Sequence, residues 1–498
     1  MGHEPVNPRP VDETAEPEVR CLVAGDWRAG SGPTFPVLEP ATDELLAEVG
    51  AAGDDDVDEA VAAAVAAADD MAALGPFERA ALLDAVADLL DGRADALAVQ
   101  LTRESGKPLG AEARPELAES ADIFRLAADE IVRLGGEVLP SAEPTKRVFT
   151  FRRPLGPVAV ITPWNFPLNI PAELVAAALA AGDPVVLKPS EGAPLSAGAL
   201  AAAVVDAGWP AGAINLVHGD ARVGSRLVSD GRLAGIAFVG GHRAAEDIVR
   251  RAGLTRTLIE ASGNGPQIVC SDADVPAAAA AAVFGAHFAC GQCCVATERV
   301  LVHESVHEAF VAEAARAAAG VVVGDPLDPA TTLGPLHDDR VAATLTAHLD
   351  DALSRGARLV CGGGPEPDRP VERYFPVTVL DAVTPAMQVF REESFGPVVP
   401  VTVFADDAEG VELANDSELG LQAAVFTRSL GRAWSYVEQL RTGTVIVNDS
   451  VSFWETHPPF GGAGGTRSGW GRIGGRFTIE DLTDVRTAVL DVGPRALP

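Results

Sequence analysis

The sequence predicts an α/β fold: a doubly wound parallel sheet, a second α/β unit after it, and a small β element. Three observations carry this. Five short apolar segments, at 157–161, 185–187, 214–217, 236–239 and 257–259, alternate with helical stretches at 172–181, about 194–207, from 222, and up to 251. Apolar strands separated by helices pack as a parallel sheet covered on both faces. A second alternation runs over 262–445, with an Ala-rich helix, a strand at 299–302, a helix at 306–319, and strands near Val377, Val399 and Val445. Two strand-like stretches, at 139–155 and near 485–492, fall outside both alternations.

Ahead of the first strand the chain reads as helical over 54–100. Asp54–Asp56 give start signals and Gly75-Pro76 a break. A second helix covers 111–134 and stops at Gly135-Gly136, and Pro154 and Gly156 punctuate a strand-like run at 148–162. No tandem period is present. The Gly-rich segment 460–475 is too specific in its order for a plain linker. The expected division is 20–138 with 156–259 as one domain, 260–445 as a second, and 139–155 with 480–498 as the β element. An edge strand wants a partner, so that element is where copies of the chain would associate.

The chain has 498 residues, enough for two or three domains, and 47% of them are hydrophobic, enough for large cores. The formal net charge of -33 repels phosphate backbones, so nucleic acid is not an expected partner. Otherwise that charge serves solubility. No uncharged run of about 18 apolar residues suggests a membrane span. Residues 1–19 are acidic and Pro-rich, read as a flexible arm without the features of a signal peptide. The six cysteines, Cys21, Cys270, Cys290, Cys293, Cys294 and Cys361, form neither a disulfide framework nor recurring metal-spaced pairs. A reducing, cytoplasmic setting and no metal are expected.

Ligands of doubly wound sheets sit beyond the carboxyl ends of the strands. Those ends carry Trp164-Asn165, Lys188, Gly219, Gly240-Gly241 and Glu260. Cys294 follows Gly291-Gln292-Cys293 at the end of the Ala-rich helix. A buried cysteine is ordinarily inert packing. To act as a nucleophile it needs access, a base, and a donor for the oxyanion that forms.

Six segments in order supply that context: Pro163-Trp164-Asn165-Phe166-Pro167, Lys188-Pro189-Ser190-Glu191, Glu260, Gly291-Gln292-Cys293-Cys294, Glu392-Glu393-Ser394-Phe395-Gly396-Pro397, and Pro459-Phe460-Gly461-Gly462. Together they resemble the aldehyde dehydrogenase superfamily over roughly 22–490. The resemblance implies oxidation of an aldehyde to a carboxylic acid with NAD(P). Cys294 would be the nucleophile that carries the thioester, Asn165 the oxyanion donor, and Glu260 the base that activates water. It implies cofactor contacts at Ile161, Thr162, Trp164, Lys188, Ser190, Glu191, Gly219, Phe238, Gly240, Gly241, Glu393 and Phe395. The first domain would thus bind the cofactor and the second carry catalysis. Glu191 would bond ribose hydroxyls and repel a 2′-phosphate, so NAD is expected over NADP. A homodimer or homotetramer is implied.

Phe166, Asn169, Ile170 and Glu173 fall on one helical face if the helix starts early, and are expected in the substrate pocket. Phe288, Cys293, Phe453, Trp454, His457 and Phe460 would add walls. The stretch from Asn448-Asp449 to His457 resembles members acting on aromatic aldehydes. Cys293 stands where branches for strongly anionic aldehydes often place Arg. The sequence also departs from the family pattern at Ser262, Gly241, Ala245, Ala289 and Leu174, and in a longer tail over 462–469. Two rival readings are a CoA-acylating dehydrogenase, which typically lacks the base at Glu260, and a non-catalytic member with a binding role.

Overall fold

Five parallel strands, apolar and almost wholly buried, form the centre of the first sheet. Their order across it is Arg256–Ala261, Gly235–Gly240, Val158–Ile161, Val185–Lys188, Ile214–Leu216. The chain winds outward from Val158–Ile161 in one direction, then returns to lay Gly235–Gly240 on the other side. The winding therefore reverses between Val158–Ile161 and Gly235–Gly240, where such sheets open a crevice at their carboxyl edge.

The computed structural model describes residues 19–493. Except for Val19, the arm expected over 1–19 lies outside the described residues, as do the last five residues of the 480–498 segment.

Both edges of the first sheet are closed by antiparallel pieces that the apolar pattern did not announce. Cys21–Val23 and Asp26–Arg28 form a hairpin that pairs beyond Ile214–Leu216. At the opposite edge Gly469–Trp470, from the Gly-rich tail, pairs with the strand carrying Glu260. These strands are too short to show a two-residue alternation.

The helix Asn169–Ala181 is apolar around nearly its whole circumference and fully buried, as a helix inside a core must be. It packs against Arg114–Ile131 and Pro76–Gly92. The helical stretch read over 54–100 is broken twice, giving Asp54–Ala73, Pro76–Gly92 and Ala94–Ser105. The second break, at Arg93, directly follows Gly92, a lone glycine that the reading of one helical stretch passed over. One π turn, Leu109–Ala113, precedes Arg114–Ile131 and holds Glu112.

The second sheet has its own core. Gly265–Val269 and Thr297–His303 lie near its centre, flanked by Val398–Phe404 and Thr378–Asp381 on one side and Gln422–Phe426 and Thr444–Val447 on the other, all parallel. Arg358–Cys361 is an antiparallel edge. A third sheet pairs Lys146–Pro154 with Thr483–Asp491 along their full length, with Val138–Leu139 beside the former. Its outer strand leaves Val485, Val489 and Leu490 about half exposed. Among the described residues no single helix is long and apolar enough to cross a membrane.

Candidate active site

Glu260 sits near the carboxyl end of Arg256–Ala261 and is only 2% exposed. Cys294 lies in the loop between the helix Val275–His287 and the strand Thr297–His303. That loop is held in an unusual shape. Ala289, Cys290 and Gly291 all take left-handed backbone, with φ of 51°, 59° and 74°. Two of the three have a Cβ that disfavours this region by roughly 1–2 kcal/mol each. Buried hydrogen bonds hold it. The Glu112 carboxylate accepts from Ala289 N at 3.0 Å, and Gln292 Nε2 donates to Ala289 O at 3.0 Å. Gln292 Oε1 accepts from His337 N at 2.8 Å, and Asn165 Nδ2 donates to Gln292 O at 2.8 Å. The His337 ring stacks on Trp164 with centroids 4.3 Å apart, and burial keeps it neutral by pushing its pKa down to about 4.

Two cavities meet at Cys294 and Glu260. The first, about 370 Å³, is walled by Phe166, Phe284, Phe288, Phe453, Trp454 and Phe460, with Glu119, Asn169, Ile170, Glu173, Cys293 and Ser452 among its other lining residues. The second, about 260 Å³, lies in the crevice where the sheet's winding reverses. Pro163, Trp164, Asn165, Gly240, Gly241, Ser262, Glu393 and Phe395 line it. Among the described residues only Cys294, Glu260 and Val239 line both. Cys293 is buried in the wall of the first cavity, while Cys294 is partly open.

The electrostatics match a site for proton transfer. Burial pushes Glu260 up to about 7, partly offset by its hydrogen bond with the Cys294 thiol. The Cys294 thiol is held well above its ordinary value by the Cys293 thiol, by burial and by the Glu260 carboxylate, so it rests protonated. Glu393 accepts from Gly263 N at 3.0 Å and is pushed up to about 8, first by burial and then by Glu298. Glu298 in turn accepts from Ser394 N and Phe395 N, both at 3.0 Å, fixing the segment that carries Glu393.

A sequence model of the aldehyde dehydrogenase family matches residues 27–488, nearly the whole chain. This chain belongs to that family. It is an oxidoreductase that takes aldehydes to carboxylic acids with NAD or NADP. Over 470 residues it is 40% identical to the non-phosphorylating aspartate-semialdehyde dehydrogenase of Halomonas elongata, covering 94% of each chain. It is 36% identical over 474 residues to the NADP(+) succinate-semialdehyde dehydrogenase of Escherichia coli, covering 94% of this chain and 96% of the other. The crystal structure of succinate-semialdehyde dehydrogenase from Burkholderia pseudomallei superposes with a TM-score of 0.93 at 36% identity, over 96% of this chain and 100% of the other.

In this aldehyde dehydrogenase the helix carrying the substrate-side residues begins at Asn169, later than Phe166. A hydrogen bond from Ile170 N to Phe166 O at 3.2 Å extends its first turn backward, so Phe166, Asn169, Ile170 and Glu173 all line the first cavity. His457 is a correction. Its side chain is 65% exposed beside Glu455 and does not line the cavity, because the chain has turned outward after Trp454. Ile161 and Phe238, expected as cofactor contacts, do not line the second cavity with their side chains. Their side chains are buried in the sheet's core, and the Phe238 ring packs beneath Gly240. Thr162 is buried too, its N–H bonded to Lys188 O at 3.2 Å. Lys188, Ser190, Glu191 and Gly219 lie outside this cavity, along the same carboxyl edge. There Lys188 Nζ stands 3.8 Å from Glu191.

Several site residues escaped the sequence reading. Glu112, Glu119, Glu298 and His337 sit in segments without a catalytic spacing, and Gln292, though inside the motif at 291–294, carries no role of its own in that reading. Ser468 was passed over inside the Gly-rich tail. Its buried hydroxyl donates to Ser262 O at 2.8 Å and accepts from Gly420 N at 3.0 Å, tying the tail to both sheets. Among the described residues no cluster of three or more His, Cys, Asp or Glu is placed to hold a metal.

Gly263 sets the distance between the strand end and the nucleophile. A Cβ there would stand 1.9 Å from the Cys294 carbonyl oxygen. Gly263→Ala therefore has to push the Cys294 loop away by more than an ångström. The expected result is a fall in kcat on the order of 10²-fold with an unchanged far-ultraviolet circular dichroism spectrum. Wild-type kcat in this variant would contradict the packing described.

Proposed function

We propose that Cys294 is the nucleophile, Asn165 the oxyanion donor and Glu260 the base in the oxidation of a small aldehyde. The observation that carries this reading is the meeting of the two cavities at Cys294 and Glu260. An aldehyde in the aromatic-walled cavity presents its carbonyl to Cys294 Sγ. Attack passes the thiol proton to Glu260, the carboxylate already bonded to it. The Asn165 amide keeps one N–H for the Gln292 carbonyl and turns the other to the oxyanion, a donor worth roughly 2.7–4 kcal/mol in comparable sites. Bound NAD(P)+ supplies the acceptor for the hydride that leaves the tetrahedral carbon. Cys294 then holds a thioester. Glu260 releases the thiol proton to solvent and, ionised again, takes a proton from the water that hydrolyses the thioester, which it returns to the departing Cys294 sulfur as the carboxylic acid leaves.

The second cavity suits the nicotinamide and pyrophosphate part of a dinucleotide, with the adenosine end along the same carboxyl edge. Gly241 caps the helix His242–Ala252, and a Cβ at Gly241 would meet nothing within 4 Å, so the backbone at this helix start is open to the close approach of a pyrophosphate. Glu393 is the carboxyl group for a ribose, and Phe395 the wall beside the nicotinamide. Lys188, Ser190 and Glu191 hold the adenosine end.

The aromatic walls suit an aldehyde with a compact or aromatic body. The exposed strand Thr483–Asp491 suits association into a homodimer or homotetramer, and sedimentation equilibrium returning only the monomer mass would exclude it.

Because burial raises Glu260 to about 7, it is mainly protonated at pH 6 and mainly ionised at pH 8. Hydrolysis of the thioester therefore rises with pH through about 7 and levels above it. Glu260 is also the acceptor of the thiol proton, so in rapid-mixing experiments both the rate of the NADH burst and the steady rate should fall from pH 8 to pH 6. This pH limb should vanish in Glu260→Gln, and its survival there would assign it to another group.

NAD is the preferred cofactor in this reading. Two like charges 4 Å apart repel by about 4 kcal/mol at an effective dielectric near 20. Glu191 is 45% exposed, so solvent and side-chain rotation remove much of that. A residual of about 1.4 kcal/mol corresponds to a tenfold higher kcat/KM with NAD than with NADP. Equal efficiency with the two would refute the preference, and Glu191→Gln should narrow it.

A further inference from the structure

Away from the junction at Cys294, the ionisable groups lining the first cavity are carboxyl groups only. Among the described residues its lining includes Glu119, Glu173 and Glu260 and no lysine, arginine or histidine. Glu260 belongs to the chemistry at Cys294, but Glu119 and Glu173 have no part in it. Glu173 projects from the buried helix Asn169–Ala181 and is 5% exposed. No hydrogen-bond partner for its carboxyl group is present among the described residues, and its Oε1 is buried without one. Glu119 comes from the neighbouring helix Arg114–Ile131 and accepts from Asn169 Nδ2 at 2.7 Å.

The cation nearest these carboxyl groups is already engaged. Lys107 Nζ pairs with the buried Glu116 at 2.5 Å and lies 3.4 Å from the centre of the Phe166 ring. Burial, reinforced by Glu119, pushes Glu173 up to about 8. Burial and Glu116 push Glu119 up to about 7, against the lowering effects of Lys107 and the Trp454 indole, with Asp122 a further small repulsion. A desolvated carboxyl group without a partner is costly, and the cost is relieved when a ligand brings the missing charge. Phe288 and Trp454 line the same cavity, and aromatic rings also attract a cation.

We propose that the aldehyde carries a cationic nitrogen at the end remote from its carbonyl, received by Glu173 with Glu119 inside the aromatic walls. This rests on reading the cavity as the aldehyde's site. Anionic semialdehydes, for which the Halomonas and Escherichia relatives are named, meet two carboxyl groups at that end.

Three aldehydes of matched length test it: one ending in trimethylammonium, its neutral tert-butyl isostere, and one ending in carboxylate. In the wild-type protein with NAD, kcat/KM for the cationic aldehyde should exceed that of the isostere by at least about tenfold, and that of the carboxylate by more. Glu173→Gln should bring the cation-to-isostere ratio toward one, chiefly by raising KM for the cationic aldehyde. NADH formation with equal or better efficiency on the isostere or the carboxylate would overturn the proposal. So would an unchanged ratio in Glu173→Gln. Calorimetric titration of the same compounds into Cys294→Ala reads binding without chemistry. Failure of every aldehyde to yield NADH would therefore count against the catalytic reading alone, while tighter binding of the cationic compound would still support the cationic site and equal binding would overturn it.

Discussion

The site depends on one strained loop. Ala289, Cys290 and Gly291 carry the chain from the end of the helix Val275–His287 toward Cys294 through consecutive left-handed residues. A loop of free residues would not adopt that path. It persists because Glu112, on a π turn of a distant helix, accepts from Ala289 N, and because Gln292 bonds both Ala289 and His337. The same Gln292 offers its carbonyl to Asn165. Strain of a few kcal/mol in such a loop is tolerable when its surroundings over-determine it. The consequence is that Cys294 and Asn165 are positioned by one network.

Around that loop the two sheets divide the work. The first brings Glu260 and the Gly240-Gly241 turn to its carboxyl edge where the winding reverses. The second anchors the strand that follows Cys294. Gly263 and Ser468 keep the two in register, the first by allowing close approach and the second by bonding across. Burial then supplies the chemistry. Glu260, Glu393 and Glu298 all sit where water is largely excluded, so their protons are held to near neutral pH. A carboxyl group that titrates near 7 can both accept the thiol proton and later serve as a base, which an exposed glutamate does less well.

The five central strands were legible because each is apolar on both faces and bounded by Gly or Pro. Cys294, Glu260 and Asn165 were legible through short motifs in a fixed order. The residues that hold those motifs in place were not. Glu112 and Glu298 act on backbone N–H groups 177 and 96 or more residues away, a pairing that no local spacing records. The hairpin at Cys21–Arg28 and the strand Gly469–Trp470 join the sheet through a few backbone bonds, without a periodic pattern. His457 was read as a pocket wall from its aromatic neighbours, but one outward turn of the chain after Trp454 places it in solvent. The carboxyl groups of Glu119 and Glu173 became significant only when two helices brought them to one cavity.

The division of labour between Cys294 and Glu260 is the central claim, and the acyl-enzyme tests it most directly. Glu260→Gln mixed with aldehyde and NAD should release one equivalent of NADH, more slowly than the wild type, and then stall. Mass spectrometry of the quenched protein should find the acyl group on the peptide holding both cysteines, and fragmentation should place it on Cys294. An adduct on Cys293, or turnover at the wild-type rate with no adduct, would contradict the account.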